Sequence, residues 1–266
     1  EFVDSKSGIV YMATGVNQSR QGMISAWLVE MLQFVTGNLG RRGGTFKPNG
    51  LSTVCPPVTG VDRIETSIGQ FEALPPGMSL PPPANIMAPL IANGDIRALL
   101  VISGNPLLTV AGETEARRAY EKLELLVSID IFRSATGELA DYVLPAQDFL
   151  ERQDINLVGS GMQQRPHVKY SEAMVAPAYE RREEWWILSN ILLAAGLDSP
   201  LSDNPDYDWG TEAIERVLAG KDLSIEKLRA SPSGTALIEP LPYDSVFEQC
   251  LQHPDKKIDC FPERFV

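Results

Sequence analysis

The chain has 266 residues, 44% of them hydrophobic, and a formal net charge of −12. That length supports one sizeable core, or a core with an appendage. The charge repels nucleic acid and anionic membrane surfaces, and no apolar run approaches the roughly 18 residues that a membrane span needs, so neither kind of partner is expected.

Residues 8–13, "GIVYMA", read as a short buried strand followed by Gly15. From Met23 to Val35, Ile24, Trp27, Leu28, Met31 and Val35 fall on one helical stripe. The opposite face is also apolar, which predicts a helix covered on most sides. "TGNLGRRGG" then supplies a C-cap and a turn. Residues 45–84 hold proline clusters and no persistent period, which predicts a long surface excursion, functional or mobile.

Regular pattern returns with a short helix over 85–93 and a continuous apolar strand over 98–103, broken by Gly104-Asn105-Pro106. "ETEARRAYEKL" is an amphipathic helix with Ala116, Ala119, Tyr120 and Leu123 facing inward, and 125–129 is a second buried strand. Strand, helix and strand in this order predict a βαβ unit with parallel strands and a right-handed crossover. "DYVLPA" is a third short strand.

Beyond residue 150 the pattern is strand-like and glycine-broken, as in a hairpin. A strong helix follows over 179–196, with the Trp185-Trp186 pair in the core and Glu180 to Glu184 solvated. Smaller helices are expected over 208–219 and 224–230, then an irregular tail. The fold class is α/β: a Rossmann-like open, mostly parallel sheet with helices on both faces, plus a mixed C-terminal extension. Residues 1–160 are read as a nucleotide-binding core carrying the proline-rich loop, and 161–266 as an extension packed on the same domain.

Cys55, Cys250 and Cys260 form no CxxC, and His167 and His253 form no HxxxH, so neither a disulfide framework nor a metal site is predicted. GxGxxG, GxxxxGK(S/T) and GxSxG are all absent, and no nucleophile–base pair stands out. No residue is assigned a catalytic role.

The polar groups gather instead where strands end. In an open parallel sheet, ligands lie beyond the carboxyl ends of the strands. The first predicted strand leads to Gly15, Asn17 and Gln18, with Ser19 at a helix N-terminus; the second leads to Gly104 and Asn105; the third leads to Asp130, then Ser134 and Thr136. A carboxylate can accept two parallel N–H bonds, and guanine offers such a pair on its ring N–H and exocyclic amine. Asp130 equally suits a ribose hydroxyl or a turn. Ser134 and Thr136 suit phosphate oxygens or capping, and Asn105 suits a nucleotide or simply the Gly-Asn-Pro turn. Gln18 and Ser19 suit an N-cap or a phosphate, with Arg20 beside them. Asp141 starts a strand, and either pins the loop before it or reaches the ligand.

"TGVNQSRQGMISAWLVEMLQFVTGNLGRRGG", "ALLVISGNP" and "SIDIFRSATGELADYVLPAQDFLER" together resemble the molybdopterin oxidoreductases of the dimethyl sulfoxide reductase superfamily, which includes formate dehydrogenases and periplasmic nitrate reductases. The resemblance covers about residues 9–50 and 95–200. It implies a segment of the third of four domains, holding the guanosine and phosphate end of a molybdopterin guanine dinucleotide that carries molybdenum or tungsten. On that pattern Asp130 pairs with guanine, Gly104 and Asn105 lie against the nucleotide, and Gln18, Ser134, Thr136 and Asp141 line the pterin or diphosphate path. Two positions depart from it: Ile129 stands where many relatives have Gln, and Asn17 where many have Thr.

The resemblance further implies an iron–sulfur cluster elsewhere in the full chain and partnership with the remaining domains and electron-transfer subunits. A cytoplasmic enzyme is expected, with the periplasm open. The sequence starts at Glu1 without methionine and holds neither the family's cysteine cluster nor its metal-ligating residue, so it reads as a fragment, inactive alone and without cofactor when isolated. A non-catalytic scaffold, like the large iron–sulfur subunit of respiratory complex I, is one rival; an unrelated dinucleotide-binding module is another.

Overall fold

The chain is described by a computed structural model over residues 2–17, 19, 21–51, 62–73, 84–161, 163, 165–201, 204, 206–251 and 253–262. In chain order the elements are α1 (Thr14–Asn17), α2 (Gly22–Val35), β1 (Asp62–Thr66), β2 (Gly69–Ala73), α3 (Met87–Ala92), β3 (Ala98–Ile102), α4 (Pro106–Thr109), α5 (Glu113–Tyr120), β4 (Leu125–Asp130) and β5 (Tyr142–Pro145). They continue with β6 (Asp154–Ile155), β7 (His167–Ser171), α6 (Glu184–Ala194), α7 (Trp209–Ala219), α8 (Ile225–Ala230), β8 (Thr235–Leu237) and α9 (Ser245–Gln249). The chain forms two units that interleave in sequence: Glu1–Pro57 with Asn156–Val168 and Thr235–Val266, and Val58–Ile155 with Lys169–Gly234.

The second unit contains a three-stranded parallel sheet in the order β3-β4-β5. Helix α5 links β3 to β4, so the predicted βαβ unit is present and the fold is α/β. Alternate residues of β4 serve opposite faces, as strand geometry requires. Leu126 joins Ile91 of α3 and Ala116, Ala119 and Tyr120 of α5 on one face. Val127 and Ile129 join Ala146 and Ile187 of α6 on the other. The sequence of α5 explains its placement: its buried residues repeat at helical spacing, Glu113 and Glu115 sit in its first turn and Arg117 and Arg118 in its last, matching the helix dipole. Capping carboxylate and hydroxyl oxygens start two later helices, with Asp208 accepting from the Thr211 N–H and Ser224 from the Lys227 N–H.

In the first unit, α2 ends at Val35 with Thr36 as its C-cap, and Gly37 takes φ +67°. The following loop folds back on Asn38, which is only 2% exposed; its carbonyl accepts from Thr45 N at 2.8 Å. A Cβ on Gly44 would lie 1.9 Å from that same carbonyl, so only glycine permits this approach.

Several expectations are corrected. Residues 8–13 form no strand, and Ile9 and Tyr11 are exposed. A strand needs a neighbouring strand for its N–H and C=O groups, and no strand pairs with this stretch among the described residues. Helix α2 is not covered on most sides: Met23 is 72% exposed and Val35 69%, while its buried residues are Gly22 and Gln33. Within 45–84, β1 and β2 form an antiparallel hairpin around Ser67 and Ile68, a structure the absence of a sustained period concealed. Strand β3 is not buried throughout; it is an edge among the described strands, with Leu100 and Ile102 facing outward. The tryptophan pair is not core either. Arg182 stacks over the exposed Trp186 at 5.5 Å, and the half-buried Trp185 donates from Nε1 to Glu183 at 2.9 Å, so both rings take polar partners.

Candidate functional site

All three parallel strands end on one cleft of about 420 Å³. Ser103, Gly104 and Asn105 enter it from β3; Asp130, Ile131, Phe132 and Ser134 from β4; Gln147, Phe149 and Arg152 from beyond β5; and Glu184 from the start of α6. The ladder register brings these groups together. Asp130 lies opposite Pro145, Ser103 N donates to Ile129 O at 2.9 Å, and Ala146 N donates to Asp130 O at 3.1 Å.

Asp130 is half-buried. Its Oδ1 accepts from Phe132 N at 3.2 Å, which is the turn-forming role. Its second oxygen carries no bond among the described residues, so the carboxylate keeps an open face toward the cleft. Asn105 Oδ1 accepts from Thr136 N at 3.1 Å and Thr136 Oγ1 at 2.9 Å, which leaves its amide donors free. Ser134 Oγ accepts from Gly137 N at 3.2 Å and keeps its own proton to give. Ser103 holds a left-handed φ of 51°, a conformation unfavourable for a side chain with a Cβ. It donates to Glu184 Oε1 at 3.3 Å.

Arg152 pairs with Glu184 at 2.7 Å. Among the described residues it is the only cation lining the cleft, and two carboxylates face it there, so the described lining is net anionic. Arg152 Nε and Gln147 Oε1 are shielded from solvent yet have no hydrogen-bond partner among the described residues. A donor and an acceptor left so are costly, by about 1–3 kcal/mol each. An adjoining cavity of about 470 Å³ shares Gln147 and Arg152. Several of its polar groups are paired with one another: Tyr170 OH donates to Gln153 Oε1 at 2.9 Å, and Arg229 holds Glu172 at 2.5 Å. Burial, with the nearby charges of Asp208 and Glu184, raises the Glu183 carboxyl above its ordinary range there, against the Trp185 hydrogen bond and Arg152.

The turn that carries Phe149 is closely held. Glu151 Oε2 accepts from Asp148 N at 3.1 Å, and its Oε1 accepts from Ala178 N at 3.2 Å and Arg181 at 2.6 Å. The Asp148 N–H first, then the Ala178 N–H and the Arg181 guanidinium, hold the Glu151 carboxyl below its ordinary range, against the desolvation that opposes them.

Of the predicted residues, the cleft gathers Gly104, Asn105, Asp130 and Ser134. Thr136 does not open onto it. It is 0% exposed, and its hydroxyl serves Asn105 and accepts from Leu107 N at 3.3 Å, so it braces the site from behind. Asp141 lies farther off: its Oδ2 accepts from Leu126 N at 2.8 Å, at the opposite end of β4. Four residues of strand at about 3.3 Å each separate that point from Asp130, so Asp141 pins the loop and is not among the residues lining this cleft. Gln18 lies outside the described residues, and Gly15 and Asn17 belong to the first unit. Gln147, Phe149, Arg152 and Glu184 were missed, though "LPAQDFLER" follows a third parallel strand and carried the same strand-end signal.

The comparisons with known proteins bear on this geometry. The family model described as molybdopterin oxidoreductase matches residues 1–193. The chain belongs to that family. Within it, the chain is 29% identical to the probable oxidoreductase YyaE of Bacillus subtilis over 58% of its own length and 22% of that protein's. It is 27% identical to formate dehydrogenase H of Escherichia coli, over 73% of this chain and 29% of that one. It is 24% identical to the dimethyl sulfoxide/trimethylamine N-oxide reductase of Rhodobacter capsulatus, over 76% and 27%. The chain thus spans less than a third of the length of these relatives, and it is a molybdopterin oxidoreductase domain of the dimethyl sulfoxide reductase superfamily. Membership implies a molybdenum or tungsten pterin cofactor in the family's enzymes. Among the described residues no cluster of His, Cys, Asp or Glu could hold a metal ion, and no helix is long and apolar enough to cross a membrane.

Proposed function

We propose that the cleft at the ends of β3, β4 and β5 holds the guanosine end of a molybdopterin guanine dinucleotide, in a Rossmann-like arrangement, within a molybdenum or tungsten oxidoreductase. The observation that carries this is the open oxygen of Asp130, at the carboxyl end of the central strand in a net-anionic cleft. An anionic cleft whose one cation is already paired disfavours a phosphate and favours an uncharged edge of N–H donors. Guanine presents such an edge. The residues suit that group: Asp130 accepts from the ring N–H and the amine, and the Asn105 amide and the Ser134 hydroxyl retain protons to donate.

The cofactor supplies redox chemistry at its metal, and this chain binds and orients one end of it. A scaffold relative that had lost the nucleotide would fill the space beside Asp130; that space is open here. The names of similar proteins make formate a reasonable substrate for the whole enzyme. In this proposal the other domains, an iron–sulfur cluster and electron-transfer subunits complete a cytoplasmic enzyme.

The test is a titration of the 266-residue chain with GDP, IDP and ADP. GDP binds tightest, because hypoxanthine lacks the amine and adenine lacks the ring N–H. Asp130→Asn, which turns one acceptor into a donor, weakens GDP at least about tenfold, or ~1.4 kcal/mol. Equal affinity of the wild-type chain for GDP and ADP would refute the guanine assignment.

A further inference from the structure

We propose that Phe132 and Phe149 are the stacking faces of this cleft, against which the purine ring lies while Asp130 reads its edge; this rests on the cleft being a purine site. Phe132 is 72% exposed and Phe149 66%, yet both line the cleft that holds Asp130. Phenylalanine is ordinarily buried, so two bare rings beside one carboxylate call for an occupant with an apolar face and a polar edge. A purine base has both.

The turns that carry the two rings are also held in place before any ligand arrives. Phe132 sits in a turn whose amide is bonded to Asp130 and whose carbonyl accepts from Ser134 N at 3.0 Å. Phe149 is carried on the Asp148–Glu151 turn, closed by Glu151 N to Asp148 O at 2.9 Å and by Leu150 N to Asp148 Oδ1 at 3.1 Å. Glu151, 6% exposed and clamped by Arg181, fixes that turn from below. A fixed turn spares the backbone part of the ordering cost on binding, which is how a site gains affinity by preorganisation.

Stacking and edge recognition make different demands. Every base has a π-face, so stacking tolerates any base, whereas hydrogen bonding to an edge does not. Phe132→Leu and Phe149→Leu keep apolar bulk and remove the aromatic face. Each should weaken GDP, IDP and ADP alike, by about 5- to 10-fold, with the GDP to IDP ratio unchanged. Asp130→Asn should collapse that ratio while leaving ADP binding in place. In proton NMR the purine H8 of bound nucleotide should move upfield through the ring currents, and either Leu variant should reduce that shift. Phe132→Tyr and Phe149→Tyr, which keep the face, should restore both affinity and shift. Leu variants that bind all three nucleotides as the wild type does, with H8 unmoved throughout, would overturn the stacking role while leaving the Asp130 assignment standing. Loss of guanine preference in the wild type with the H8 shift intact would do the reverse, and a chain that binds no purine nucleotide overturns both.

Discussion

Replacing Thr136 by valine isolates the contribution of one buried hydroxyl. The two side chains have nearly the same shape, so packing around this fully buried position is preserved. The hydroxyl donates to Asn105 Oδ1 and accepts from the Leu107 amide in the first turn of α4. Asn105 Oδ1 keeps its second donor, the Thr136 N–H, and stays satisfied. The Leu107 N–H does not, and a stranded donor at a residue with 0% exposure costs about 1–3 kcal/mol. With the bond between the hydroxyl and Asn105 also lost, Thr136→Val should lower stability by about 2 kcal/mol. For a unit of this size that is about 4–8 °C in Tm. Urea denaturation followed by tryptophan fluorescence is the assay, since Trp185, Trp186 and Trp209 all lie in the second unit. Thr136→Ser keeps the hydroxyl and removes a methyl, for about 1 kcal/mol. If valine is tolerated to within about 0.5 kcal/mol, or if serine is the worse substitution, the hydroxyl does not brace the Asn105 turn as described.

Gly44→Ala should destabilise the first unit by about 1–3 kcal/mol or more, because the added carbon meets the backbone carbonyl of Asn38, which no side-chain rotation can move aside; an unchanged melting curve would contradict that close approach. Glu183→Gln should raise the unfolding midpoint at neutral pH. The wild-type carboxyl is raised by burial, so the folded state bears a charge penalty that grows as pH rises through the usual glutamate range. The amide escapes that penalty, so the gain should vanish below about pH 4. A gain that persisted in acid would point to packing instead.

The sequence made the βαβ unit legible, because hydrophobic runs, a 3.6-residue stripe and a Gly-Asn-Pro break are local signals that survive in any tertiary context. It also located Asp130 and Asn105 at strand ends, since parallel strands put their carboxyl ends on one rim. It could not rank the polar groups nearby. Ser134 and Thr136 are chemically alike and two residues apart, yet one opens on the cleft and the other is sealed behind it. Asp130 and Asp141 are both acidic, yet they lie at opposite ends of β4. Which of them meets a ligand depends on which backbone amides each side chain satisfies, and those amides belong to residues up to about thirty positions away. Burial was misread for the same reason. The apolar runs at 8–13 and along α2 state what a covering surface would gain, and only the packed chain reveals that none of the described residues supplies it. Arg152 met Glu184, and Gln147 and Phe149 joined Asp130, only once the sheet register and the start of α6 had brought separate segments to one rim.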